Sequence, residues 1–180
     1  MVLATVPASA AAAALPDSGY SRVAAPVHAV QATPWYNIQF RDSGKCVYSP
    51  NNVDGAQLVQ RQCNSSDARQ LWGLFWTSGG YAGFVNYANG KCINVQGAST
   101  ANEAPIVQWP CDFRFDNDEW YGQPTGPGSI WYWFRARHSQ MCMVVRWASW
   151  DEGAPLIQYT CTGGDRGNDE ITYIYSFSTS

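Results

Sequence analysis

The chain is poor in charge. Lys, Arg, Asp and Glu make up 14 % of its 180 residues, 11 basic against 14 acidic, for a net charge of −3. No basic field is available to grip a phosphate backbone, so a nucleic-acid partner is not expected. Histidine is scarcer still: His28 and His138 are the two, and neither lies near a plausible nucleophile in sequence, which leaves acid–base and nucleophilic catalysis without their usual parts. Uncharged apolar runs never approach the roughly 18 residues of a membrane span, so none is expected. No Cys/His cluster shows metal-ligand spacing, and neither a metal nor a cofactor is implied. No segment reads as a long amphipathic helix.

Aromatic residues, by contrast, equal the charged ones at 14 %, with 9 Trp and 10 Tyr. Polar recognition here leans on rings and neutral hydrogen bonders, which suits neutral ligands. The chain is 46 % hydrophobic, enough for one well-buried domain and short for two cores. Six cysteines in repeating pairs read as a disulfide framework formed in an oxidising compartment, so a secreted, extracellular protein is expected. Residues 1–34, rich in Ala and Pro, show neither strand alternation nor a helical face. They read as a tail. Met1 to Val6 followed by Ala8-Ser9-Ala10 matches the end of a signal peptide with an A-x-A cleavage site, although no Lys or Arg precedes Arg22; an Ala/Pro linker is the other reading.

From Trp35 onward the texture changes to short aromatic or aliphatic runs broken by turn residues, a strand pattern. Asn89-Gly90, between Val85-Asn86-Tyr87 and Cys92 to Val95, predicts a two-residue hairpin. Self-similarity then organises the chain. Cys46, Cys92 and Cys142 recur 46 and 50 residues apart, and Cys63, Cys111 and Cys161 follow them by 17, 19 and 19 residues. Before each second cysteine stand Gly55-Ala56-Gln57-Leu58-Val59-Gln60, Glu103-Ala104-Pro105-Ile106-Val107-Gln108 and Gly153-Ala154-Pro155-Leu156-Ile157-Gln158, in one register. Trp72, Trp120 and Ile171 share a third landmark after it. Three units of about four short strands each, spanning roughly 35–78, 79–127 and 128–178, predict an all-β domain with pseudo-threefold symmetry over 35–180, a β-trefoil. Each unit then closes on itself through Cys46–Cys63, Cys92–Cys111 and Cys142–Cys161. Trp72 and Trp120 read as core wedges, and Gln60, Gln108 and Gln158 as buried hydrogen bonders, since alternation turns Gln108 away from the face that Trp109 uses. Trp131, Trp133, Trp147 and Trp150 crowd the third unit beyond what a small core holds, so an exposed aromatic patch is expected there.

With Gly44-Lys45-Cys46 and Gly90-Lys91-Cys92, three internal cysteine pairs and the Gln-x-Trp signature kept as Gln70-Leu71-Trp72, the sequence resembles the ricin B-chain lectin family, the family 13 carbohydrate-binding modules. The signature is altered to Asp118-Glu119-Trp120 in the second unit and to Asp169-Glu170-Ile171 in the third. The resemblance implies that each unit can hold a shallow sugar pocket. Its parts are an Asp two residues after the first cysteine, an aromatic two before the second, and an Asn-Gln pair opening the signature. A ring stacks on the apolar face of a sugar while polar side chains read its hydroxyls. Unit one offers Tyr48, Arg61, Arg69 and Gln70, with no acid and no stacking ring. Unit two offers Asn94, Trp109, Asn117 and Asp118, the best candidate site, in which Asn94 and Asp118 are expected to face each other as amide donor and carboxylate acceptor. Unit three offers Tyr159, Asn168 and Asp169, a weaker site because Val144 replaces the acceptor. The expected function is binding of a glycan or polysaccharide, of galactose or xylose type as the resemblance implies, without catalysis. A protein-binding trefoil, an enzyme inhibitor or targeting subunit, is the alternative. Asn64-Ser65-Ser66 fits a glycosylation sequon.

Overall fold

The computed structural model describes residues 34–162 and 170–176. The tail read as a signal remnant or linker lies outside the described residues, as do Asn168 and Asp169 of the weaker third-unit site. Twelve strands follow in chain order: β1 Trp35–Phe40, β2 Cys46–Tyr48, β3 Val59–Arg61, β4 Trp72–Trp76, β5 Ala82–Asn86, β6 Cys92–Val95, β7 Ile106–Trp109, β8 Trp120–Pro124, β9 Tyr132–Ala136, β10 Cys142–Val145, β11 Leu156–Tyr159 and β12 Glu170–Ser176. The only helical elements among the described residues are three-residue 3₁₀ turns. No helix there is long and apolar enough to cross a membrane.

The first and fourth strands of each repeat form a closed ring of antiparallel pairings, β1–β4–β5–β8–β9–β12 and back to β1. Closure removes the open edges that short strands would otherwise expose. The second and third strands of each repeat, β2–β3, β6–β7 and β10–β11, pair as hairpins that cap the barrel. This is the β-trefoil that the repeat spacing predicts, and its core is built in triplets. Ile38, Phe84 and Phe134 form one buried set; Val47, Ile93 and Met143 a second; Leu58, Ile106 and Leu156 a third; Trp72, Trp120 and Ile171 a fourth. Trp72 and Trp120 are wedges as expected, their indole N–H groups donating to the Val47 and Ile93 carbonyls at 3.1 Å each.

The caps are tied to one another in a cycle. The Gly55 N–H donates to the Gln108 carbonyl, Glu103 to Gln158 and Gly153 to Gln60, each at 2.9 Å. The three glutamine side chains, fully buried, repeat the same link in side-chain atoms. Gln108 Nε2 donates to the Asn51 and Val53 carbonyls at 2.7 Å each. Gln158 reaches Ser99 and Ala101 (2.7 and 2.8 Å), and Gln60 reaches Ser149 and Asp151 (2.8 and 3.0 Å). Buried amides with both donors used stabilise rather than strain the interior. They explain why Gln recurs at this position in all three repeats.

The three disulfides pair as expected, Cys46–Cys63, Cys92–Cys111 and Cys142–Cys161. Each closes a loop of 17 to 19 residues, a constraint on the unfolded chain that contributes roughly 3 kcal/mol apiece in the chain-entropy model. One local expectation is corrected. Asn89-Gly90 does not form a two-residue hairpin: β5 ends at Asn86 and β6 begins at Cys92, and the connection is a wider turn closed by Gly90 N–H to the Asn86 carbonyl at 2.9 Å. Gly90 alone of the pair has positive φ, while the Asn89 side chain donates to Ser49 and Gln108 of the neighbouring cap. A tertiary contact has taken the asparagine that a type I′ turn would need.

Candidate functional site

The second repeat presents a groove of about 460 Å³, walled by Trp109 and Phe115 and floored by Asn94, Val107 and Asn117. Strand register explains the platform. Trp109 sits directly opposite Cys92 on β6–β7 and two residues before Cys111, so the Cys92–Cys111 bridge anchors its backbone on both sides. Alternation buries Gln108 and leaves the Trp109 ring 45 % exposed. Asn94, one turn of the pleat beyond Cys92, faces the same groove from β6. Asn117 joins it from the loop before β8: its Nδ2 donates to Asn94 Oδ1 at 2.9 Å and to the Val95 carbonyl at 2.7 Å. With Asn94 Oδ1 and both Asn117 N–H bonds so engaged, Asn94 presents its amide nitrogen to the groove and Asn117 its carbonyl oxygen. A donor and an acceptor thus line the same groove as an exposed ring.

Asp118 is placed elsewhere. Its side chain is buried, and Oδ2 accepts from the Asp112 and Phe113 backbone N–H groups at 2.9 and 3.0 Å. Gln70 does the equivalent job in repeat one, accepting from the Asn64 N–H at 2.9 Å and donating to the Gln62 carbonyl at 2.9 Å. Asp118 is therefore a loop tie, and the expected Asn94–Asp118 couple is replaced by Asn94–Asn117. The reason is the loop itself, which turns through left-handed residues at Phe113 and Asp116 and swings its backbone amides onto the carboxylate. Burial pushes the Asp118 carboxyl above its ordinary value of 3.8, against the lowering effect of those backbone hydrogen bonds. At the rim, the side-chain hydrogen bond from Arg114 holds Asp112 below the usual carboxylate value. Glu119 turns the other way and pairs with Arg137, whose guanidinium it raises in pKa through that hydrogen bond.

The other repeats diverge at these positions. In repeat one the Arg61 guanidinium lies 4.6 Å from the Tyr48 ring centroid, and Arg69 donates to the Tyr48 hydroxyl at 3.2 Å and to the Pro50 carbonyl at 2.9 Å. These contacts tie to one another the side chains at the positions equivalent to Asn94, Trp109 and Asn117. Repeat three has a smaller groove of about 290 Å³, with Tyr159 and Trp147 on its walls and Val144 and Ile157 on its floor.

Against this geometry the comparisons are direct. The ricin-type β-trefoil lectin domain-like family matches residues 27–109 and 68–159, together well over half of the chain. The chain belongs to that family. Among solved structures, this lectin-like domain is similar to a designed threefold-symmetric protein, ThreeFoil. The two are 32 % identical with a TM-score of 0.71 over 78 % of this chain and 97 % of that one. It shares its fold with part of an exo-β-1,3-galactanase from Clostridium thermocellum (24 % identity, TM-score 0.74, 81 % of this chain and 31 % of the enzyme). The Rhizoctonia solani agglutinin has the same fold (13 % identity, TM-score 0.67, 79 % of this chain and 95 % of that one). No curated protein matches with significant similarity.

Sequence reasoning about the lectin-like domain brings Asn94, Trp109 and Asn117 to one groove. It misses Phe115, which is 63 % exposed and lines the same groove, and Asp112, which lines it too. Both belong to the irregular loop after Cys111, where no strand period indicates which side chains turn inward.

Proposed function

We propose that this domain is a secreted carbohydrate-binding module without catalytic activity, and that the groove of repeat two is its principal site. The observation that carries the reading is the exposed Trp109 ring sharing one groove with the coupled amides of Asn94 and Asn117. A pyranose would stack its C–H face on the indole, with Phe115 as the second wall. Its hydroxyls would accept from the Asn94 amide nitrogen and donate to the Asn117 carbonyl oxygen. Sugars of galactose or xylose type are the first to test, in keeping with the family. Three disulfides support an extracellular setting.

Asn94 forgoes the charge-assisted bond that an aspartate would make, so single-sugar affinity is expected near a millimolar dissociation constant, about −4 kcal/mol. Preorganisation by the disulfide and by the Asn94–Asn117 bond keeps the ordering cost low. The experiment is a glycan array followed by titration of the best hit into the native domain and Trp109→Ala. Binding that weakens at least tenfold, with an unchanged melting temperature, supports the assignment. Silence of the native domain across the array would favour the protein-binding alternative, for which the loss of the Asp in all three repeats is the argument.

A further inference from the structure

The loop after Cys111 gives the repeat-two groove Asp112 and Phe115, yet it contains no strand or helical turn of its own. One tether is Asp118, which accepts from the Asp112 and Phe113 N–H groups at 2.9 and 3.0 Å. A second tether comes from repeat one. The Phe113 ring meets Phe75 of β4 edge to face, with centroids 4.8 Å apart and planes at 74°. Phe75 in turn lies over Gly83, its register partner on β5. A Cβ added to Gly83 would stand 2.2 Å from Phe75 Cζ and 2.7 and 2.8 Å from the two Cε atoms, so the tip of the ring fills the space that a side chain there would claim.

The arrangement is particular to repeat two. On the other barrel pairings the equivalent partners are Gln123 with Trp133 and Asn37 with Ile174, so neither sets a glycine under a ring. Two residues after Cys63, where Phe113 has its counterpart, stands the exposed Ser65. Two further on stands Asp67, whose carboxylate caps its own 3₁₀ turn by accepting from the Arg69 N–H at 3.0 Å. Phe115, at that same place in repeat two, is instead an exposed ring on the groove. An edge-to-face ring pair attracts beyond its buried area, enough to change a local opening equilibrium by roughly tenfold.

We infer that Phe75 is a positioning residue for the repeat-two site. With Gly83 as its seat and Phe113 as its contact, it latches the loop that carries Asp112 and Phe115 to the barrel, and the groove becomes a joint product of repeats one and two. The role rests on the carbohydrate reading of this groove. Phe75 is not one of the residues that line it, so it acts through Phe113 and not by touching a ligand. A wall held in place before the ligand arrives costs no ordering on binding, and the latch therefore acts on affinity through preorganisation.

The test reads the loop and the site separately. Amide hydrogen exchange by NMR follows Asp112 and Phe113 in the full chain, with Leu58 and Leu156, whose N–H groups bond between caps at 2.9 Å, as references for global opening. Methyl galactoside and xylose are titrated into the same samples. In Phe75→Ala, exchange at Asp112 and Phe113 should rise about tenfold beyond any rise at Leu58 and Leu156, and affinity for the sugar that binds should fall at least about threefold. Phe113→Ala should do the same, and the double variant should do no more than either alone, since both remove one contact. Gly83→Ala keeps both rings but drives the Phe75 tip from its seat, and should reproduce the rise in exchange. Phe75→Leu, which keeps an apolar side chain over Gly83, should fall between the native domain and Phe75→Ala. A purely structural role for Phe75 would raise exchange at all four amides alike; that result overturns the latch, as does additivity in the double variant. Loosened loop amides with unchanged sugar affinity overturn the positioning role and leave the carbohydrate reading standing. A native domain silent to both sugars and across the glycan array sinks that reading and the positioning role with it.

Discussion

Truncating Trp120 to alanine tests the trefoil core at its most demanding point. The indole is 1 % exposed, one of the largest buried side chains, and belongs to the triplet with Trp72 and Ile171. Large-to-small changes of this kind cost about 3–5 kcal/mol through lost burial and the cavity left behind. The Ile93 carbonyl also loses the indole N–H that reaches it at 3.1 Å, adding about 1 kcal/mol for an orphaned buried acceptor. For a domain of this size each kcal/mol lowers the melting temperature by about 2–4 °C, so a fall of roughly 10–20 °C is expected. The disulfides stay intact in both folded and unfolded chains and do not confound the comparison. Scanning calorimetry of the native domain, Trp120→Ala and Trp120→Phe would show the order of effects. Phenylalanine keeps most of the buried ring but loses the hydrogen bond, and should cost about half as much. A melting point for Trp120→Ala within about 3 °C of the native one, together with lost sugar binding, would refute the core assignment and make Trp120 a ligand contact.

Further outcomes follow from the polar interior. Gln108→Ala removes two donors at 2.7 Å from the Asn51 and Val53 carbonyls and should cost roughly 3–5 kcal/mol in urea unfolding; less than about 1 kcal/mol would mean that the inter-repeat staple is ornamental. Gln60→Ala and Gln158→Ala should fall within about 1 kcal/mol of it, because each glutamine makes the same pair of links. Asp118 titrates above its unfolded value, so the folded state takes up that proton first. Its unfavourable contribution is full at neutral pH and is relieved as pH falls through the raised value towards 3.8. Asp118→Asn keeps an acceptor for the Asp112 and Phe113 amides and should be at least as stable as the native domain at pH 7. That advantage should shrink at pH 4; an advantage that instead grows on acidification would contradict the sign.

The sequence by itself determined the fold and one half of the site, because both depend on local regularities. Cysteine spacing set three loops of 17 to 19 residues, the Ala-x-aliphatic-aliphatic-Gln register set three equivalent caps, and the two-residue strand period sent Gln108 inward and Trp109 outward. Those rules operate over a few residues and survive whatever the rest of the chain does. Loop direction does not obey them. Asp118 reads as a site residue in the linear motif, yet left-handed turns at Phe113 and Asp116 bring backbone amides onto its carboxylate and give its place beside Asn94 to Asn117. Asn89 fits a tight hairpin by propensity and is instead drawn to Gln108 of the adjacent hairpin. Glu103 stands in the cap position that Gly55 and Gly153 hold in the other repeats, but its meeting with Arg146, 43 positions away, exists only once three caps close around a common axis. Contacts between repeats are decided by that closure, since the groups that meet there are remote in sequence and no local period carries their alignment.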